Sequence, residues 1–129
     1  MSKYVNLIKA DLKCVGIFAN GTDEFDLNIA AYHCQQAVEK TCGYVAQIHG
    51  LKSKRTHNIQ VWVEYLQDNG IAVPGVITNN AEKITSWESS SRYNINFVAS
   101  SIDIERIKED VEKWLSSIDT GKNVILKIK

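Results

Sequence analysis

One proline, Pro74, stands in a chain of 129 residues. Proline breaks helix interiors because it lacks a backbone N–H and its ring collides with the preceding turn. Average usage is near 5%, so a chain almost free of it is open to long helices. The apolar residues, 44% of the total, must then fall on helical stripes if those helices are to pack, and they do.

Five helices are predicted from the stripes and the punctuation between them. The first runs from about Lys3 to Ala19 and is closed by Asn20-Gly21, with Val5, Ile8, Leu12, Val15 and Phe18 on its apolar face. The second opens after Thr22 as N-cap. Asp23, Glu24 and Asp26 fill its start, where carboxylates meet the positive end of the helix dipole. It ends at His49, before Gly50, and its row of Leu27, Ala30, Cys34, Ala37, Cys42, Val45 and Ile48 marks it as the spine of the domain. A basic loop, Lys52-Ser53-Lys54-Arg55, follows. Thr56 is expected to cap a third helix, from His57 to about Asp68, closed by Asn69-Gly70. Pro74 is placed to begin a fourth, running to about Ser91 with Val76, Ile77, Ala81, Ile84 and Trp87 inward. The fifth runs from near Ser101 to near Asp119, before Gly121, on Ile104, Ile107, Val111, Trp114 and Leu115. The expected fold is an all-α, up-and-down bundle of four to five helices over residues 1–121. Residues 122–129, Lys-Asn-Val-Ile-Leu-Lys-Ile-Lys, read as a basic tail that is disordered or ordered by a partner.

Fifteen basic residues balance fifteen acidic ones, which argues against a domain that wraps duplex DNA by charge alone. No apolar run is long enough to span a bilayer. The first residues carry Lys3, Lys9, Asp11 and Lys13, which interrupt any signal-peptide core, so a cytoplasmic protein is expected. Cys14, Cys34 and Cys42 are an odd set without zinc spacing, and they read as small core residues in a reducing compartment. Glycine-rich phosphate loops and His-Glu-x-x-His metal pairs are absent from the sequence, so neither metal nor cofactor is expected.

The second helix carries the informative surface. His33, Gln36, Lys40 and Tyr44 fall at steps of three and four beside the apolar row. An imidazole, an amide and an ammonium in line can hydrogen-bond a phosphate or a base edge. The alternative is a solvated face or a subunit contact involving Glu39 and Lys40. His33 can equally be a hydrogen-bonded structural histidine. His57, next to the Thr56 cap, offers either an amide to an anion or orientation of the loop. Arg92 follows three serines and offers a bidentate fork for phosphate or carboxylate, or a tie back to an acid such as Glu39. The basic loop is either solvated or a phosphate contact. Trp62, Trp87 and Trp114 sit on helix stripes, as core or dimer contacts rather than stacking platforms.

Three motifs resemble the HEPN family, the higher eukaryotes and prokaryotes nucleotide-binding domain. They are Ala30 to Thr41 (AAYHCQQAVEKT), Thr56 to Ile59 (THNI) and Ser91 to Asn94 (SRYN), and the resemblance covers about residues 3 to 119. It implies a helical bundle, commonly a homodimer, that works with a minimal nucleotidyltransferase, often as a toxin–antitoxin pair. Some members are metal-independent ribonucleases that use an Arg followed four to six residues later by a His. This sequence lacks that pair. Its arginines are Arg55, Arg92 and Arg106; no histidine follows His57, and Arg55 is only two residues before it. Gly43 stands near the place of a customary Lys, where it permits close packing or a local bend, and Arg92-Tyr93-Asn94 replaces the usual Arg-Tyr-Pro. The resemblance therefore implies a non-catalytic nucleotide- or RNA-binding module and partner of a nucleotidyltransferase, with ligand contacts at His33, Gln36, Lys40, His57 and Arg92. A divergent ribonuclease using Arg92 with His33 or His57, and a purely structural dimeric scaffold, are the alternatives.

Overall fold

The computed structural model describes residues 3–21, 23–93 and 97–128, without the side chains of residues 91–93 and 119–128. Every regular element among the described residues is helical: α1 (Lys3–Phe18), α2 (Glu24–Ile48), α3 (Ile59–Asp68), α4 (Gly75–Asn79), α5 (Ala81–Tyr93) and α6 (Ser101–Ile128). The all-α bundle is as the stripes predict, and the described residues form six helices where four to five were expected.

The start and stop signals explain most boundaries. Asp23 caps α2, its side chain accepting from the Phe25 amide at 2.7 Å. The expected cap, Thr22, lies outside the described residues. At the far end, Gly50 takes a left-handed φ of 72°. The Gly50 amide donates to Gln47 O at 3.1 Å and the Leu51 amide to Ala46 O at 2.9 Å, which satisfies two carbonyls that the helix leaves open. Gly70 repeats the device after α3, with φ 76°: its amide donates to Gln67 O and the Ile71 amide to Leu66 O, both at 3.0 Å.

Three boundaries differ from expectation. Asn58, not Thr56, caps α3, with its side chain accepting from the amides of Gln60 and Val61. Thr56 acts one step earlier: its hydroxyl oxygen accepts from the Asn58 amide at 3.0 Å. His57 therefore precedes the helix rather than opening it. The expected fourth helix is broken at Asn80, whose side-chain amide donates to Val76 O at 2.7 Å and whose carbonyl starts α5 by accepting from Ile84 N. An Asn side chain that competes for backbone acceptors ends one helix and lets the next start at a new angle. The fifth expected helix does not stop before Gly121; its backbone continues to Ile128. Glycine ends a helix by adopting left-handed φ, and only Gly50 and Gly70 do so among the described residues.

Packing centres on α2, about 37 Å long, which touches α1, α3, α5 and α6. Tyr4 on α1 faces Gly43 and Tyr44, and Asp11 faces His33 and Lys40, so α1 and α2 run antiparallel. A Cβ at position 43 would meet the Tyr4 ring at 3.1 to 3.2 Å. Gly43 therefore makes room for a close helix contact, as one of its two sequence readings held. At the other end of α2, the buried Asn28 donates to Phe97 O at 2.8 Å and accepts from the Ala99 amide at 3.0 Å. Cys34 meets Ile104 O. These contacts lay α6 along α2 in the same direction. Most residues of the predicted stripes are buried, and with them Trp62, Trp87 and Trp114, while Phe18, Leu27, Ile48 and Val76 are half-buried against the core. Among the described residues, no helix is long and apolar enough to cross a membrane.

Candidate functional site

Asp11 organises the polar side of α2. It lies on the buried face of α1, between Ile8 and Val15 at helical spacing, and its side chain is only 9% exposed. A carboxylate in that position requires a partner, because losing water disfavours an unpaired charge. Lys40 Nζ donates to its Oδ2 at 2.6 Å, and His33 Nδ1 pairs with its Oδ1 at 2.9 Å. His33 and Lys40, seven residues apart on α2, are thus joined through one residue of another helix. Tyr32 packs edge-on to the His33 ring, with centroids 5.4 Å apart.

Gln36 lies next to this pair and belongs to a second network. Its amide donates to Gln35 Oε1 at 2.7 Å. Gln35 is fully buried and donates in turn to Glu39 Oε1 at 3.1 Å and to the His57 carbonyl at 3.4 Å. His57 Nδ1 meets the same Glu39 oxygen at 2.8 Å, with the imidazole 64% exposed. Glu39 thus ties the loop before α3 to the spine, and the bond to Nδ1 fixes which face of the ring the solvent meets.

The structure therefore brings His33 with Lys40, and Gln36 with His57, into two neighbouring networks on α2. Tyr44, the last member of the sequence row, is buried beside Tyr4 and belongs to the core. Arg92 lies in the last turn of α5; its side chain and Asn94 of the third motif lie outside the described residues. Asp11 and Gln35 were missed by the sequence reading, and Glu39 was read as solvated surface, a subunit contact or a tie for Arg92. The signals existed: Asp11 interrupts an apolar stripe, and Gln35 falls at helical spacing with Ala31, Val38 and Cys42, all buried.

The basic loop is firmly seated. Tyr65 donates its hydroxyl to Lys52 O at 2.7 Å, and Lys54 Nζ sits 4.5 Å above the Tyr65 ring. Trp62 donates its indole N–H to Thr56 O at 3.1 Å. By contrast, the thiols of Cys34 and Cys42 are fully buried, and burial pushes both far above the ordinary thiol range. Neither supplies a nucleophile in the folded state. Among the described residues, no three His, Cys, Asp or Glu side chains gather where they could hold a metal ion.

A helical bundle with carboxylate-held imidazoles on and beside its central helix α2 is the class that fold and site define. The HEPN domain model matches residues 19–120, and the chain belongs to that family. Helix α1, with Asp11, precedes the matched residues except for the turn that follows it. No curated protein and no solved structure matches the chain.

Proposed function

We propose that this HEPN-domain chain is a non-catalytic nucleotide- or RNA-binding module of the cytoplasm, acting as a homodimer beside a minimal nucleotidyltransferase in a toxin–antitoxin-like pair. The observation that carries the reading is the pair of neighbouring polar networks on α2. There His33 and Lys40 are held by Asp11, and Gln36 and His57 by Gln35 and Glu39, within a family named for nucleotide binding. Side chains fixed before a ligand arrives lose little freedom on binding it. Arg92 is the remaining expected contact.

The test is a thermal-shift panel of nucleotides and short RNAs on the wild type and on Lys40→Ala combined with Arg92→Ala. Ligand at about 100 times its dissociation constant adds about 2.7 kcal/mol of stability. A shift of several degrees that disappears in the double variant supports the reading. No shift with any probe moves the weight to a scaffold that holds a protein. A strict monomer by sedimentation at micromolar concentration removes the dimer.

A second reading draws on one specific feature. Each of two imidazoles rests on a carboxylate, His33 on Asp11 and His57 on Glu39. That arrangement orients a general base. A divergent ribonuclease using Arg92 with either histidine predicts RNA cleavage in the presence of a chelator. Undiminished cleavage by Arg92→Ala excludes that reading.

A further inference from the structure

The loop between α2 and α3 is pinned through three of its backbone carbonyls: Lys52 O by the Tyr65 hydroxyl, Thr56 O by the Trp62 indole, His57 O by the Gln35 amide. The amides of its basic stretch are not engaged. Among the described residues, the N–H groups of Lys52, Ser53, Lys54 and Arg55 donate to no protein acceptor, and all four residues are exposed. Those four amides are open to solvent or to a bound anion, which backbone N–H groups can hold.

The side chains add charge of the matching sign. Lys52, Lys54 and Arg55 place three cations within four residues, in a chain whose net charge is zero. No carboxylate of the described residues forms an ion pair with any of them. Lys54 is steered by the Tyr65 ring. The solvated-loop reading accounts for cations at a surface. It does not account for a short loop pinned to Tyr65, Trp62 and Gln35 with the amides of residues 52–55 left open.

From this geometry we infer that residues 52–55 form a phosphate-binding loop that takes consecutive phosphate groups, as in a polyphosphate or the backbone of a single strand. The inference rests on the nucleotide- or RNA-binding reading and deepens it. It assigns the phosphate contact to this loop rather than to Lys40, whose ammonium is already bound to Asp11. Four residues of chain span at most about 14 Å, enough for a few adjacent phosphates and too little for a long tract. Glu39 and His57 then join the loop to the polar flank of α2, so phosphates on the loop bring an attached base toward that flank.

The test measures binding of a fluorescein-labelled ten-nucleotide single-stranded RNA by anisotropy, across a salt series, with the full chain. The proteins are wild type, Lys52→Gln/Lys54→Gln/Arg55→Gln, and a charge-matched control, Lys9→Gln/Lys13→Gln/Lys113→Gln, drawn from exposed lysines elsewhere. Inorganic triphosphate and an uncharged nucleoside serve as competitors. The loop variant should lose at least about tenfold in affinity, and its salt slope should fall by about 2, from roughly 0.7 per phosphate over three contacts. The control should stay within about twofold, and triphosphate should compete where the nucleoside does not. Arg55→Gln alone, expected to melt with the wild type, should remove about a third of the slope change. If wild type binds and the loop variant matches the control, the loop assignment is wrong and the nucleotide reading stands. Competition by the nucleoside but not by triphosphate also overturns the loop. If wild type binds none of the probes, the nucleotide reading fails and the loop falls with it.

Discussion

The two seams of α2 use the same chemistry in different surroundings. On one side, Asp11 is sunk between α1 and α2 with His33 and Lys40 on its two oxygens. On the other, Glu39 holds His57 through an imidazole that is mostly in water. The bond lengths are nearly equal, 2.9 and 2.8 Å, so distance does not separate them. Burial does. An exposed pair contributes little because water screens it and two side chains must be immobilised. A buried pair also adds little net stability when formed, yet removing one partner strands the other charge. The first seam is therefore fragile to substitution, and the second is tolerant of it.

The largest predicted effect tests that contrast directly. Asp11→Ala should cost about 3 kcal/mol, since it leaves the Lys40 ammonium and His33 without their acceptor. Urea unfolding measures this, and a loss below about 1 kcal/mol would make the two seams equivalent. Next is Gly43→Ala. Alanine favours a helix by up to about 1 kcal/mol over glycine, but the new Cβ lies 3.1 Å from the Tyr4 ring. Overpacking typically costs about 1–3 kcal/mol, so a net loss of about 1 kcal/mol is expected. Combined with Tyr4→Ala, the same change should become stabilising. If it destabilises in both backgrounds, the close contact is not the reason for the glycine. Glu39→Gln should shift stability by less than about 1 kcal/mol, with the amide still able to meet Gln35.

Asp110 offers a third carboxylate, with neither kind of partner, and the smallest effect. One of its oxygens is buried without a hydrogen bond, although the residue as a whole is half-buried. Burial raises its carboxyl above the usual range, and Lys113 partly opposes the shift. A folded-state pKa above the unfolded one means that the ionised form costs stability at neutral pH. The cost fades as pH falls through the folded value and is gone below the unfolded value of about 3.9. Asp110→Asn should raise Tm slightly at pH 7, and by a shrinking margin as the pH is lowered. A margin that grows toward acid would reverse the assignment.

Much of the bundle is legible in the sequence because burial follows helical spacing. Val5, Ile8, Leu12 and Val15 lie in the core, as do Ile104, Ile107 and Val111. Gly50 and Gly70 end their helices because the left-handed conformation they adopt is open to glycine at little cost. The break at Asn80 is less legible, because the apolar stripe continues across it and only a side-chain bond to Val76 O marks the stop. The site is legible by half. His33, Gln36 and Lys40 follow from spacing within one helix. Asp11 does not, since periodicity describes one helix at a time and carries no information about which helix packs against it. His57 stands out beside its threonine, yet its partner Glu39 lies 18 residues away on another element.

The contact between Cys34 and Ile104 O has a use of its own. It joins residues 70 positions apart, so it exists only when α6 is seated on the spine. A thiol reacts as thiolate, and this one is fully buried with its ionisation suppressed. Alkylation of Cys34 must therefore wait for α6 to lift, and its rate reports the free energy of that local opening without any added label. Half-buried Cys14 supplies an internal standard for reagent access, so one native chain carries both the clock and its calibration.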